Sequence, residues 1–510
     1  MNIPIRPVEA KVLLRNLSSE ELRELARKDE KTTEFGSASY ITKVRSRSAK
    51  NTYIIDAGYP IGVRQMPISQ EKAEEIMARV HEYLRGQEVI QVDRTMGMNP
   101  IGSFACRLYI TKPYARIAHL WYNSLFPSQV GRELDLVSVY VPEWPERIIF
   151  TNPQAGFTYI LGTDYFGEAK KSFLRKAMYR IKQRGGIGFH AGSKLIRVRG
   201  GDGNLREVGF ILFGLSGTGK TTLTLHDHYL SEEEGVTIRQ DDVVLIREDG
   251  YCYGTENGFF IKTEGLEPSQ EVLWAAATKP SAAFENIKVY EDGRVDFLDY
   301  ELTTNGRGVV LRREIASTDG EVDLPKAHKV IFITRRYDIV PIVSKLTPEQ
   351  AAAYFMLGES IETSAGDPTK AGQSKREVGT NPFIVGPECE EGNRVMEILR
   401  RNPDMECFVL NTGRVGKSVG NEGVKITIQV SVITMREIAR RRIDWKCDPD
   451  WGYLMPCHIE GLDINNFDPH RHYSPREYDE QVERLRAERI QWLAQFPGLD
   501  PAIVRSVERP

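Results

Sequence analysis

The sequence predicts an α/β protein with more than one structural unit, and three observations carry that reading. The chain has 510 residues, which at ~100–200 residues per domain makes two to four units. Short β-rich runs alternate with stretches of helical period, the order that builds α/β layers. The apolar run 208–213 passes through a glycine-rich loop straight into a helix start, as a buried strand feeding a helix does.

Each element has its own signal. Ser18 and Glu21 have capping-box spacing ahead of Leu22 and Leu25, which predicts a helix over 18–27. Residues 69–84 carry Ala73, Ile76, Met77, Val80, Tyr83 and Leu84 on one stripe and stop at Gly86. Runs 52–55, 89–92, 107–111 and 136–141 read as strands separated by Gly, Pro and Asn, so the N-terminal third is mixed α/β. Beyond the turn 200–204, strand 208–213 opens a second core, with further strands at 236–238, 243–246, 309–311, 329–334 and 407–411 and a helix at 348–356. Residues 358–386 are rich in Gly, Ser, Thr, Pro and charge, and read as a lid punctuated by Gly358, Gly366 and Gly372. From residue 443 the composition shifts to Trp, Pro, Asp, His and Arg. Ser474, Pro475 and Glu477 then start a helix over 476–496, whose stripe of Tyr478, Val482, Leu485, Trp492 and Leu493 predicts docking on the body. There is no internal repeat.

Composition narrows the function classes. Lys plus Arg (68) nearly balances Asp plus Glu (71), for a net charge of −3, so no global positive field exists to hold a nucleic acid or an anionic membrane. No run approaches the ~18 apolar residues of a membrane helix, and residues 1–17 lack the uninterrupted apolar core of a secretory signal. Six cysteines without CxxC pairing suit reduced thiols, and a cytoplasmic location is expected.

The strongest chemical signal is Gly214-Leu215-Ser216-Gly217-Thr218-Gly219-Lys220-Thr221, followed by Thr222, which fits G-x-x-x-x-G-K-[ST] in the strand–loop–helix context the motif requires. Its glycines let backbone N–H groups converge on phosphate oxygens, Lys220 can reach the β- and γ-phosphates, and Thr221 offers a hydroxyl to a divalent cation. About twenty residues on, Asp241 and Asp242 close an apolar β segment, where a carboxylate can hold metal directly or through water.

The run 214–223 resembles the ATP-dependent phosphoenolpyruvate carboxykinases, and so do Tyr165-Phe166-Gly167-Glu168-Ala169-Lys170-Lys171 and Arg47-Ser48-Ala49-Lys50. Asn99-Pro100, His190, Asn305-Gly306-Arg307, residues 329–347 and 358–372, and Asn411-Thr412-Gly413 are similar in order and spacing over roughly 35–440. The resemblance implies a two-domain α/β fold with the active site in a cleft: a mixed α/β N-terminal, substrate-side domain (1–185), a P-loop nucleotide- and metal-binding domain toward the C-terminus (186–442, with the lid 358–386) and a helical extension (443–510). It implies decarboxylation of oxaloacetate with ATP to phosphoenolpyruvate, carbon dioxide and ADP, as in gluconeogenesis, or the reverse carboxylation. Lys171, His190 and Asp242 would hold a catalytic Mn²⁺, Thr221, with Asp241 near, the Mg²⁺ of ATP, and residues 214–222 the nucleotide. Lys171 must shed its proton to ligate, which demands a pKa far below the usual ~10.4. Arg47, Tyr165 and Gly167 would bind the dicarboxylate, and Arg307 would lie between substrate and γ-phosphate; guanidinium suits such bidentate anion contacts.

Two positions depart from the family pattern. Val243 stands where an acid is expected after the Asp pair, and Lys425 stands where an arginine near the adenine is expected, which exchanges a planar fork for a point charge. In the tail, Cys457-His458 and His470-x-His472 match no zinc spacing. Singly, Arg47 reads as surface charge, Tyr165 as a core-edge aromatic, Lys171 as a helix-surface amine and His190 as a packing histidine; together they fit one pattern. Two alternatives stay open at this level: a small-molecule kinase of the same fold with another acceptor, and an idle regulatory nucleotide-binding protein.

Overall fold

A computed structural model describes residues 7–215, 217–361, 373–418 and 420–508. The chain divides into two units that are not consecutive in sequence. The first takes Met1–Arg184, Tyr253–Val322 and Phe383–Gly386; the second takes Gly185–Cys252, Asp323–Pro382 and Pro387–Pro510.

The first unit is built on a nine-stranded mixed sheet in the order Val12–Arg15, Glu88–Met96, Phe104–Thr111, Leu136–Val141, Phe157–Leu161, Ile148–Asn152, Thr52–Asp56, Met66–Ser69, with Phe126–Pro127 off Glu88–Met96. Helix Gln70–Arg85 starts at Ser69, whose side chain accepts Lys72 N–H, and buries Ala73, Ile76, Met77, Val80 and Leu84, the predicted stripe without Tyr83. That stripe packs with Val137, Val139, Phe150 and Tyr159 in one apolar core. Strand Leu136–Val141 is buried at every residue, so both faces of the sheet centre are covered. Helix Phe166–Gln183 also packs against this strand: Lys176 Nζ donates to Val137 O (2.6 Å) and Ser138 Oγ (2.9 Å). Sixteen of its eighteen residues are buried, including Lys170 and Lys171, so Lys171 is not the surface amine that its sequence suggests in isolation.

A five-stranded sheet, ordered Gly258–Lys262, Arg307–Leu311, Ala283–Glu285, Ala38–Tyr40, Glu30–Thr32, completes the first unit. This sheet is why the units differ from the division at 185 and 442. Residues 253–322 return to the first unit, where Ala283–Glu285 pairs with Ala38–Tyr40 on one side and with Arg307–Leu311 on the other.

The second unit holds an eight-stranded sheet: Gly235–Gln240, Ala191–Arg199, Leu205–Gly214, Lys329–Thr334, Glu406–Asn411, Val343–Leu346, Leu454–Ile459, Ile443–Cys447. The three central strands, Leu205–Gly214, Lys329–Thr334 and Glu406–Asn411, run parallel. The region assigned to a helical extension from 443 therefore begins with two strands that extend this sheet. Its helix, Pro475–Leu493, carries the full capping box of Ser474 and Glu477 and docks by Tyr478, Val482, Leu485, Arg486, Arg489 and Leu493. Among the described residues no helix is long and apolar enough to cross a membrane.

Candidate active site

Strand Leu205–Gly214 ends where the glycine-rich loop begins, and helix Lys220–Leu225 follows. Gly217 (φ +83°) and Gly219 (φ +97°) take the left-handed backbone that side chains disfavour, and the turn they make leads into Lys220. At Gly214 the constraint is space: a Cβ there would sit 2.6 Å from both Ile333 O and Thr218 Oγ1. Leu215 O accepts Thr218 Oγ1 at 2.7 Å and Thr412 Oγ1 donates to Thr218 O at 2.7 Å, so the Asn411-Thr412-Gly413 turn buttresses the loop. Thr222 continues the helix, and its carbonyl accepts His226 N–H (3.1 Å). Ser216 lies outside the described residues.

Asp241 faces this loop. Its Oδ2 is 3.4 Å from Thr221 Oγ1 and its Oδ1 is 3.7 Å from Lys220 Nζ; Oδ1 is buried and makes no hydrogen bond among the described residues. A hydroxyl beside a carboxylate with spare lone pairs is the oxygen-donor chemistry of a hard divalent cation. Next to it, Asp242 Oδ1 lies 2.9 Å from His190 Nε2. Asp242 holds φ +95°, an unfavourable backbone for a non-glycine residue. His190 Nδ1 is 3.1 Å from Thr380 O, and a carbonyl can only accept, so Nδ1 carries a proton and Nε2 is the nitrogen turned to Asp242. Val243, where an acid was expected, is fully buried.

In the first unit, Gly167 allows Tyr165 to fold back over the helix start: a Cβ at Gly167 would meet Tyr165 ring atoms at 2.4–2.9 Å. Asn305 Nδ2 donates to Tyr165 OH at 3.4 Å and to Arg45 O at 2.8 Å, while its Oδ1 accepts Arg307 Nη2 at 2.7 Å. Burial pushes the Tyr165 phenol up although Arg307 opposes this, so the phenol is a neutral hydroxyl. Two side chains lie over the Phe383 ring, with Arg47 Cζ 4.6 Å and Lys171 Nζ 4.8 Å from its centroid. The Nε atoms of Arg47 and Arg307 are buried without a hydrogen-bond partner among the described residues.

Several positioning side chains were not singled out from sequence. Glu168 Oε1 accepts Ser48 N–H at 2.5 Å and so fastens the Arg47 turn to the helix of Lys171. Lys170 Nζ pairs with Glu256 at 2.7 Å with both side chains 1% exposed. Strand register sets Lys262 beside Arg307. The only signal for these lay in the Tyr165–Lys171 motif itself; Glu256 and Lys262 are distant in sequence and carry none.

Other assignments are not brought together. Lys425 is exposed on a short ladder opposite Arg414. Of the segment 358–386 expected to form a lid, Glu359–Ile361 pairs antiparallel with Ser374–Arg376 and Val378–Thr380 is buried; Gly366 and Gly372 lie outside the described residues. In the tail, His472 Nε2 meets Asn466 O and His470 stacks on Tyr478. Among the described residues no group of three or more His, Cys, Asp and Glu is placed to hold a metal.

Fold and site together define a mixed α/β protein in which a strand runs through a glycine-rich turn into a helix, with Asp241 facing that turn and the His190–Asp242 pair next to it. The chain matches the family described as phosphoenolpyruvate carboxykinase over residues 11–465. It is 33% identical to a phosphoenolpyruvate carboxykinase (ATP) of Aeropyrum pernix over 86% of this chain and 88% of that one. To proteins of the same name it is 26% identical in Brucella anthropi (82% and 78% covered) and 28% in Rhizobium johnstonii (69% and 64%). The chain belongs to the ATP-dependent phosphoenolpyruvate carboxykinase family, and its function is that of a phosphoenolpyruvate carboxykinase, a carboxy-lyase that uses ATP. The family match runs to residue 465 and so includes both strands at the start of the tail.

Proposed function

We infer that the loop 214–221 holds the triphosphate of ATP, with Lys220 on its terminal phosphates, and that oxaloacetate is the acceptor precursor. In this reading Thr221, supported by Asp241, ligates Mg²⁺, and Lys171, His190 and Asp242 ligate Mn²⁺. The observation that carries it is the approach of His190 Nε2 to Asp242 Oδ1 at 2.9 Å, directly after the Asp241 that faces Thr221 and Lys220. Divalent cations bound at these donors supply Lewis-acid stabilisation of oxygen charge.

The chain's own side chains do the rest. Arg47 and the neutral Tyr165 hydroxyl hold the dicarboxylate, and Gly167 makes room for that hydroxyl to reach. Oxaloacetate loses the carboxylate β to its ketone as carbon dioxide. The electron pair of the broken bond gives the enolate, whose oxygen attacks the γ-phosphorus and expels ADP. Lys220 and Arg307 neutralise charge on the phosphoryl group in transit. Lys425, exposed, is assigned to the nucleoside end, where it offers charge without stacking. The balanced composition and the absence of CxxC pairing favour a cytoplasmic setting.

A coupled assay with oxaloacetate, ATP, Mg²⁺ and Mn²⁺, read as phosphoenolpyruvate formed, tests the reading. Turnover that needs both ATP and metal is expected. A protein that makes no phosphoenolpyruvate but phosphorylates a hydroxyl compound would be a kinase instead.

A further inference from the structure

The five-stranded sheet of the first unit sets one residue from each strand in a single cross-sheet row. Register pairs Lys262 with Arg307, Arg307 with Glu285, Glu285 with Tyr40 and Tyr40 with Glu30. Directly paired residues project to the same face, with Cβ atoms ~4.5–5.5 Å apart. Glu285 is therefore held beside Arg307.

The ends of the row are saturated. Lys262 pairs with Glu264, Glu30 is gripped by Arg23 and Arg27, and Tyr40 OH is 3.2 Å from His119 Nδ1. The centre is not. Glu285 is 1% exposed; its Oε1 accepts Phe166 N–H at 2.9 Å, and its Oε2 is buried with no hydrogen-bond partner among the described residues. Arg307 sends Nη2 to Asn305 rather than to Glu285, and its Nε has no hydrogen-bond partner among the described residues.

We propose that Glu285 is a positioning residue of the carboxykinase site that works as the neutral carboxylic acid. It fastens the Tyr165–Phe166 turn to the Arg307 strand without neutralising Arg307, whose charge is thereby kept for an anionic substrate. The inference rests on the roles given above to Arg307 and Tyr165.

The chemistry follows from the unmatched oxygen. A buried carboxylate is tolerated when donors surround both oxygens, and is expensive when one oxygen has none. Burial pushes the Glu285 carboxyl up to about 8, with Asp164 adding to the rise and Arg116 and Arg307 opposing it. Among the other groups around it, burial raises Tyr140 and Tyr165 and lifts Tyr40 far above neutrality, and it lowers His119 to about 4. Lys262 lies one strand further along the row, turned to Glu264. Above about pH 8 a carboxylate forms beside Arg307, binds it, and competes with the substrate anion.

The test is the pH dependence of KM for oxaloacetate at saturating ATP in the parent, Glu285→Gln and Glu285→Leu, with melting curves alongside. For the parent, KM rises about tenfold from pH 7 to pH 9, and kcat falls with it as Glu285 takes up the Arg307 charge that serves the phosphoryl group. Glu285→Gln keeps the acceptor for Phe166 N–H and stays neutral, so its KM holds within about twofold over that range. Glu285→Leu loses the N–H anchor and raises KM at pH 7 by about tenfold; should it fail to fold, the Gln variant decides alone. Oxalate binding by calorimetry over the same range gives the same contrast without turnover. Identical pH profiles in the parent and Glu285→Gln would overturn the proposal while leaving the carboxykinase reading intact. A parent that makes no phosphoenolpyruvate would overturn that reading, and this inference with it.

Discussion

Glu359 in the second unit and Glu285 in the first are both buried, and the protein treats them oppositely. Glu359 is gripped by Arg489, whose Nη2 meets Oε1 and whose Nε is 3.2 Å from Oε2; Arg376 Nη2 lies 3.5 Å away. Burial alone would raise this carboxyl, but Arg489 and Arg336 pull it down to about 2. Glu285 has one backbone donor, an idle oxygen, and a carboxyl raised to about 8. The difference teaches how burial is used. A carboxylate that joins elements is surrounded by charge until nothing is left over, as Glu359 joins helix Pro475–Leu493 to the base of the 359–376 hairpin. A carboxyl at a working site is left incomplete, so that its neighbour's charge stays available.

The contrast can be attacked from its structural end first. Arg489→Met leaves Glu359 buried without its main partner, and should cost about 3–5 kcal/mol in guanidinium unfolding. A loss under 1 kcal/mol would mean the pair is ornamental. The acid limb has a fixed sign: the folded Glu359 carboxyl lies below its unfolded value of 4.5, so its contribution is present above pH 4.5 and is lost as pH falls toward 2. In Arg489→Met that acid dependence should weaken.

At the working end, Lys220→Ala should lower kcat by ~10²-fold or more, roughly 3 kcal/mol of charge stabilisation, with the unfolding midpoint unchanged. Equal activity in variant and parent would remove the loop from the chemistry. An intermediate effect concerns Glu285 and stability. Its folded carboxyl lies above the unfolded value, so the stability it contributes is full below pH 4.5 and declines as pH rises toward 8. Between pH 6 and pH 8 the parent should lose about 2 kcal/mol more than Glu285→Gln, measured by denaturant titration at each pH. The smallest expected effect is at Arg47, where Arg47→Gln should raise KM for oxaloacetate by ~10-fold, about 1.4 kcal/mol, with ATP binding unchanged by calorimetry.

How much of this was legible in sequence follows the distance between partners. The 214–221 loop, the capping boxes at Ser18 and Ser474 and the stripe of helix Gln70–Arg85 are written in residues a few positions apart, and local spacing reveals them. Helix Phe166–Gln183 defeats periodicity because it is buried on every side with its lysines satisfied inside. Glu285 and Glu359 find their partners 119 and 130 residues away, and neither segment carries a pattern pointing there. The same holds for the units: nothing around residue 283 announces that it pairs with residue 38. Asp242 stood out by its place about twenty residues after the loop, whereas His190 stood out through family resemblance alone.

That long-range pairing bears on how the protein is made. Ala38–Tyr40 pairs with Glu30–Thr32 on one side, and on the other with Ala283–Glu285. On a ribosome adding ~5–20 residues per second, its second side waits on the order of tens of seconds for its partner to emerge. During that interval the nascent chain presents an open strand edge, the feature most prone to wrong pairing. Strand Ala38–Tyr40 is short and buried only at the end, so biosynthesis, more than the finished molecule, is where this architecture is exposed to aggregation.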